Sequence, residues 1–191
     1  MKKVCSVAIG TLVGISLLVS GCDTTSTESR QISAREAYNI VLPHAQNIMP
    51  GSILQEVRMQ GTRDCAGKST TWELRFCSPD TGNYVWLDTT AEGVEIDHEG
   101  ERELQYCTPL NEGWVDSTVA WQAIDWQEVD CYDKLRWGYL DPSSQGDEWT
   151  FAWCSWGDYD PDHKYAGTFR EYIIDAADGH LIKDIIGSCW E

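Results

Sequence analysis

The segment Trp72-Glu73-Leu74-Arg75-Phe76-Cys77 recurs later in the chain as Trp149-Thr150-Phe151-Ala152-Trp153-Cys154. In both segments large apolar residues alternate with polar or small ones, which is the pattern of a strand with one buried face. Both segments also end in cysteine. The recurrence predicts that the chain is built from two units of the same plan.

The residues before the first segment predict a helix. Ser33 and Glu36 have the spacing of a capping box, in which each side chain bonds a backbone N–H at the start of a helix. Apolar residues continue at helical spacing to Ile48. Pro43 lacks the N–H of a helical hydrogen bond, so we expect it to bend or end this helix. Short segments with a two-residue period follow and predict successive antiparallel strands.

The second unit has the same order of elements. Asp116 or Ser117 would cap a segment whose apolar residues have helical spacing up to Ile124, and further alternating segments follow it. The expected fold is therefore α+β, with two tandem units, each one helix packed on a three- to four-stranded antiparallel sheet. We place the first unit at residues 32–107 and the second, which is rich in tryptophan, at residues 108–191.

Each unit closes on a strand, an acidic-glycine turn and a short returning strand, with Glu92-Gly93 in the first turn and Asp178-Gly179 in the second. This order resembles the PepSY domain family, named for the propeptides of thermolysin-type peptidases and a spore-germination protein. The resemblance implies a non-catalytic module outside the membrane that binds or restrains peptidases. It supplies no catalytic residues.

The first residues of the chain predict export. Lys2 and Lys3 precede a short apolar run that ends in Val19-Ser20-Gly21-Cys22, as in a signal peptide. This ending resembles the bacterial lipoprotein box, which implies cleavage before Cys22 and acylation of that residue. We therefore expect a lipoprotein signal peptide at 1–21, a flexible, lipid-anchored tether at 22–31, and attachment to the periplasmic face of a membrane or to the cell surface. An ordinary secretory signal and an uncleaved anchor are the alternatives.

Six cysteines remain after the expected lipidation site, an even number that in an exported chain predicts three disulfides with 15 formal pairings. If each unit holds three of them, at least one bridge must join the two units. The candidates are Cys65, Cys77, Cys107, Cys131, Cys154 and Cys189.

The chain has a formal net charge of −17, which becomes −19 if residues 1–21 with their two lysines are removed. Such a charge disfavours nucleic acid as a partner and favours a cationic peptide or a basic protein surface. Aromatic residues in predicted loops or near the end are candidates for binding a protein or a sugar. They are Trp156, Tyr159, Tyr165 and Trp190.

The alternating carboxylates Asp158, Asp160 and Asp162 resemble the start of a calcium loop, but the glycine and the glutamate that such a loop needs are missing. No metal or other cofactor is therefore expected, and no nucleophile-and-base motif stands out. The sequence predicts a non-catalytic lipoprotein that binds a protein partner, and the PepSY resemblance implies that it inhibits or regulates a peptidase. A glycan-binding surface protein and a hydrolase with an unrecognised site are the alternatives.

Overall fold

The structure is a computed structural model that describes residues 29–101, 107–124, 135–143, 146–156 and 167–189. Two helices and eight strands lie in these ranges. Their bounds are α1 Ala34–Ile48, β1 Ile53–Arg63, β2 Ser69–Cys77, β3 Asn83–Thr89, β4 Val94–Glu101, α2 Ser117–Ala120, β5 Leu135–Ser143, β6 Gly146–Trp156, β7 Gly167–Asp175 and β8 Leu181–Cys189.

All eight strands form one antiparallel sheet in the order β4-β3-β2-β1-β5-β6-β7-β8. The first half of the chain supplies β1 to β4 and the second half supplies β5 to β8. The two meanders join where β1 pairs with β5, with Val57 opposite Leu140 and Arg58 opposite Tyr139. The expectation of two units, each with its own small sheet, is therefore wrong. Pairing of β1 with β5 satisfies backbone groups that two separate sheets would leave at exposed edges.

The hydrophobic core lies on one face of this sheet and crosses the join between the halves. Trp72 on β2 and Trp149 on β6 are both fully buried, and their ring centroids are 6.4 Å apart in an edge-to-face arrangement. Val57 and Leu140, on the two strands between them, are also fully buried. The tryptophans of the recurring segment therefore belong to one shared core, which is a second reason why the two-unit prediction fails.

Helix α1 begins as predicted and continues past its proline. The Ser33 side chain accepts a hydrogen bond from Glu36 N, and the Glu36 side chain accepts one from Ser33 N, which confirms the capping box. Pro43 lies inside the helix, which ends at Ile48. Helix α2 has four residues and passes into a single 3-10 turn at Trp121–Ala123, so the second half has no helix comparable to α1.

The two helix starts are joined by hydrogen bonds between the halves. Ala34 N donates to Ser117 Oγ at 3.1 Å, and Arg35 N donates to Asp116 Oδ1 at 3.0 Å. The Ser117 hydroxyl in turn donates to the carbonyl of Gly67 in the β1–β2 turn, at 2.7 Å. Backbone N–H groups at the start of α1, which lack partners within the helix, are thus satisfied by the second half of the chain.

One predicted disulfide is described in full. Cys77 at the end of β2 is bonded to Cys107, with a Cα–Cα distance of 5.8 Å, and Cys65 is also disulfide-bonded. Cys131 and the side chains of Cys154 and Cys189 lie outside the described residues, so a bridge between the two halves stays a prediction. None of the described helices is long and apolar enough to cross a lipid bilayer.

Candidate functional site

A cleft of about 450 Å³ lies over the join between β1 and β5. Among the described residues, β1 and β5 are paired at two positions only, whereas β6 and β7 are paired along their whole shared length. The polar side chains of the cleft, except that of Arg63 beyond an irregularity in the β1–β2 pairing, belong to residues that alternate with core residues, so they project from the sheet face opposite the core. They come from Glu56, Arg58, Gln60, Arg63, Tyr139 and Asp141.

Two arginine side chains, Arg58 in the cleft and Arg75 beside it, are already paired with carboxylates and an aromatic ring. Arg58 forms ion pairs with Glu56 and, at 3.6 Å, with Glu73. Arg75 lies 3.3 Å from Glu56. Both guanidinium groups also stack on Trp86, at 4.5 Å and 5.3 Å from its ring centre. These cation–π contacts hold the arginine side chains along the sheet and limit their reach toward the remaining acids.

The pKa of Asp141, in the cleft, is strongly raised. Burial raises its pKa, and the negative charges of Glu56 and Glu148 raise it further, to about 6. Arg58 opposes the shift but does not cancel it. The cleft therefore holds a half-buried carboxylate whose negative charge the protein itself compensates incompletely.

The pKa values of other carboxyl groups on strands of the same sheet are also raised. Burial raises the pKa of Glu73 and Asp88, and neighbouring acids raise both further. Burial also raises the pKa of Glu171, against the attraction of Lys183. A cationic group placed against these strands would stabilise the ionised carboxylates, so this surface is chemically suited to a positively charged ligand.

Replacing Asp141 with asparagine is expected to stabilise the protein at neutral pH. The pKa of about 6 in the fold exceeds the ordinary value of 3.8. The folded state therefore binds this proton more tightly than the unfolded chain, and the stability that it contributes is complete below about pH 4 and lost as pH rises through 6. We expect D141N to raise the free energy of unfolding by about 1–2 kcal/mol at pH 7.5, allowing for screening of this partly exposed group.

Urea unfolding at pH 7.5 and at pH 4 measures this effect. Most of the gain should disappear at pH 4, where the carboxyl group is protonated in the folded state and about half protonated in the unfolded chain. The exposed Glu92, in the β3–β4 turn, provides a matched control, because E92Q removes an acid from outside the cleft. A D141N gain that is equal at the two pH values would contradict the proposed cause.

A second cluster of possible metal ligands lies in the β7–β8 turn, where ligand atoms of Asp175, Asp178 and His180 are within 4.8 Å of one another. Asp178 accepts a hydrogen bond from His180 N at 3.0 Å and contacts its ring Nδ1 at 2.6 Å. The backbone hydrogen bond from His180 is the main reason why the pKa of Asp178 is lowered. These mutual bonds account for the cluster as a turn-stabilising arrangement.

Most candidate residues from the sequence lie outside the described part of the chain. Trp156 ends β6, and its side chain is not among those described. The other candidates outside the described residues are the aromatics Tyr159, Tyr165 and Trp190, the acids Asp158, Asp160 and Asp162, and Cys22 with the signal and most of the tether. The sequence did not single out Glu56 or Asp141, because their proximity depends on the β1–β5 pairing, for which the chain carries no local signal.

A comparison with solved structures finds a protein with the same fold. No protein-family model and no curated protein matches the chain, so membership of the PepSY family is not confirmed. A crystal structure of a protein from Clostridium difficile 630, described as a candidate lipoprotein, superposes with a TM-score of 0.53 at 9% sequence identity. The match covers 79% of this chain and 93% of that one. The chain therefore shares its fold with a protein described as a candidate lipoprotein.

Proposed function

We propose that the protein is an exported lipoprotein that acts as a non-catalytic binding module for a protein partner. The lipoprotein assignment is supported by the Val19-Ser20-Gly21-Cys22 ending of the apolar run. It is also supported by the structural neighbour, which is described as a candidate lipoprotein. Acylated Cys22 would hold the sheet near a membrane surface, on the outer side of the cell membrane or facing the periplasm. Restraint of a peptidase is the specific role that the PepSY resemblance suggests.

The observation that carries the binding proposal is the state of Asp141. Its carboxylate lies half-buried beside Glu56 and Glu148, and burial, together with the negative charges of these neighbours, raises its pKa to about 6 despite the attraction of Arg58. A lysine or arginine side chain of a partner would supply further positive charge. The net charge of the chain would also attract a basic segment from a distance and speed its encounter with the cleft. We therefore assign the cleft as the site that receives a basic side chain of the partner.

Titration calorimetry with a pentalysine peptide tests this proposal. The protein is the chain from residue 22 onward with C22S, which leaves every described residue unchanged. We expect D141N to weaken binding about fivefold at pH 7.5 and low salt, as for a partly exposed charge-assisted contact. E92Q, a matched loss of one exposed acid, should leave the affinity within about twofold.

Acidification gives an independent measurement on the unmodified cleft. Because the pKa of Asp141 is about 6, lowering the pH from 7.5 to 5 should weaken pentalysine binding by the same factor as D141N. The variant itself should lose less affinity over this range. Equal weakening by D141N and E92Q would show that the peptide responds to total charge alone, and it would overturn the assignment of the cleft.

A further inference from the structure

A separate cavity of about 540 Å³ lies on the core side of the sheet, between α1, the start of β1 and the segment that precedes α2. We call it the α1 cavity. Its size is typical of sites for small ligands, which occupy roughly 300–1,000 Å³. Much of its wall is apolar or aromatic, from Tyr38, Leu42, Leu54, Leu110 and Trp114.

Arg35 brings a positive charge to this wall. Its guanidinium group donates a hydrogen bond to the carbonyl of Trp114 and lies 3.5 Å from the centre of the Trp114 ring. Burial lowers the pKa of Arg35 and the negative charge of Asp116 opposes this. The Asp116 carboxylate, however, accepts hydrogen bonds from the backbone N–H groups of Arg35 and Ser117 and from the hydroxyl groups of Ser117 and Thr118, and among the described contacts it accepts none from the Arg35 guanidinium.

No carboxylate among the described residues forms an ion pair with Arg35, in a chain that has 31 acidic residues and 14 basic ones. Arg30, Arg58, Arg75 and Arg170, by contrast, each lie within 4.0 Å of a carboxylate. A partly desolvated guanidinium beside an apolar cavity is suited to a carboxylate brought by a ligand, because two parallel N–H···O bonds can form there.

Ser52 supplies an independent indication of a ligand. It lines the α1 cavity and is only 5% exposed, yet its hydroxyl has no hydrogen-bond partner in the part of the chain that the structure describes. Gln46 beside it is satisfied, because its amide donates to Ser52 O and accepts from Gly51 N. Buried hydroxyl groups normally have partners, so a ligand in the cavity would have an unsatisfied donor in the wall beside it.

We propose that the α1 cavity binds an amphiphile with an apolar chain and a single carboxylate. The carboxylate pairs with Arg35, a polar oxygen accepts from the Ser52 hydroxyl, and the chain packs against Leu42, Leu54 and Leu110. Glu112 at the rim and the negative net charge oppose any anion, and they oppose ligands with more than one negative group most strongly, which favours a ligand with a single carboxylate. This site is on the opposite side of the sheet from the cleft at Asp141 and does not depend on the proposed binding of a basic segment.

Titration calorimetry with octanoate and with octan-1-ol tests this proposal on the C22S chain from residue 22 onward. The two probes have the same chain length and differ in the carboxylate. We expect octanoate to bind about tenfold more tightly than octan-1-ol, the effect of one charge-assisted interaction in a partly desolvated site. R35Q should abolish this difference while octan-1-ol still binds, which also shows that the variant is folded.

A second test of the proposal fills the α1 cavity with a larger side chain. L42W places a large ring in the cavity and should abolish binding of both probes. I48W is the matched control, because Ile48 lies on the same helix, is partly exposed and lines a different pocket. S52A should weaken octanoate binding and leave the unfolding midpoint unchanged or higher, because its hydroxyl has no described partner to lose. Octanoate binding that survives both R35Q and L42W, or no binding of either probe to the unsubstituted protein, would overturn the proposal.

Discussion

Replacing Trp149 with alanine is expected to lower the free energy of unfolding by about 3–5 kcal/mol. The side chain is fully buried, its ring stacks on Phe151 with 5.6 Å between centroids, and it meets Trp72 edge to face. Its Nε1 also donates to the carbonyl of Val115 at 2.9 Å. The substitution would leave a cavity at the centre of the core and a carbonyl without its donor, and both effects destabilise the fold.

The number of transitions in the unfolding curve of W149A is a second expected result. Because Trp72 and Trp149 belong to different halves and share one core, W149A should shift a single urea transition observed by far-ultraviolet circular dichroism. Loss of the second half alone, with the first half unfolding later, would contradict a shared core. W86A is the control on the opposite sheet face, where the ring stacks on two arginines. We expect it to cost about 1–2 kcal/mol.

Local features of the sequence were sufficient to predict several elements. Alternation of Trp72, Leu74 and Phe76 with polar residues predicted a strand with one buried face, and all three side chains are fully buried in β2. The capping box at Ser33 correctly gave the start of α1. These predictions succeed because strand alternation and helix capping depend on residues a few positions apart.

The joining of the two halves could not be predicted in this way. Two four-stranded meanders can remain separate or share one sheet with the same alternation in every strand, and the choice depends on whether their inner edges pair. That pairing, at Val57 and Leu140, connects residues far apart in the chain. The cleft at Glu56 and Asp141 exists because of it. The sequence therefore predicted the strands but missed both the single sheet and the candidate site.

The early end of α2 has a cause in tertiary packing. Apolar spacing predicted a helix up to Ile124, but regular helix ends at Ala120 and Ile124 is extended. Trp121 meets Phe151 edge to face at 4.9 Å between centroids and also contacts Trp153. The tight turn places this indole ring on β6, so packing against the sheet overrides the helical pattern of the segment.

The contact between the β1–β2 turn and the second half leads to the second large effect. Gly67 has a φ of +77°, and a Cβ atom built on it would lie 2.7 Å from the carbonyl oxygen of Ser117 and 2.8 Å from Trp121 Cβ. We expect G67A to lower the free energy of unfolding by about 3 kcal/mol. Roughly 1–2 kcal/mol of this comes from the left-handed backbone, and the rest comes from separating the turn from α2.

Gly51 separates the two contributions because it has the same φ of +77° and no atom within 4 Å of an added Cβ. G51A should therefore show the cost of the left-handed backbone alone, about 1–2 kcal/mol. The difference between the two variants in urea unfolding measures the close approach of the turn to α2. If G67A and G51A cost the same, the turn does not pack on α2 as described. A larger cost for G67A would instead show that the turn packs closely on α2, at the place where the Ser117 hydroxyl donates to Gly67 O and accepts from Ala34 N at the start of α1.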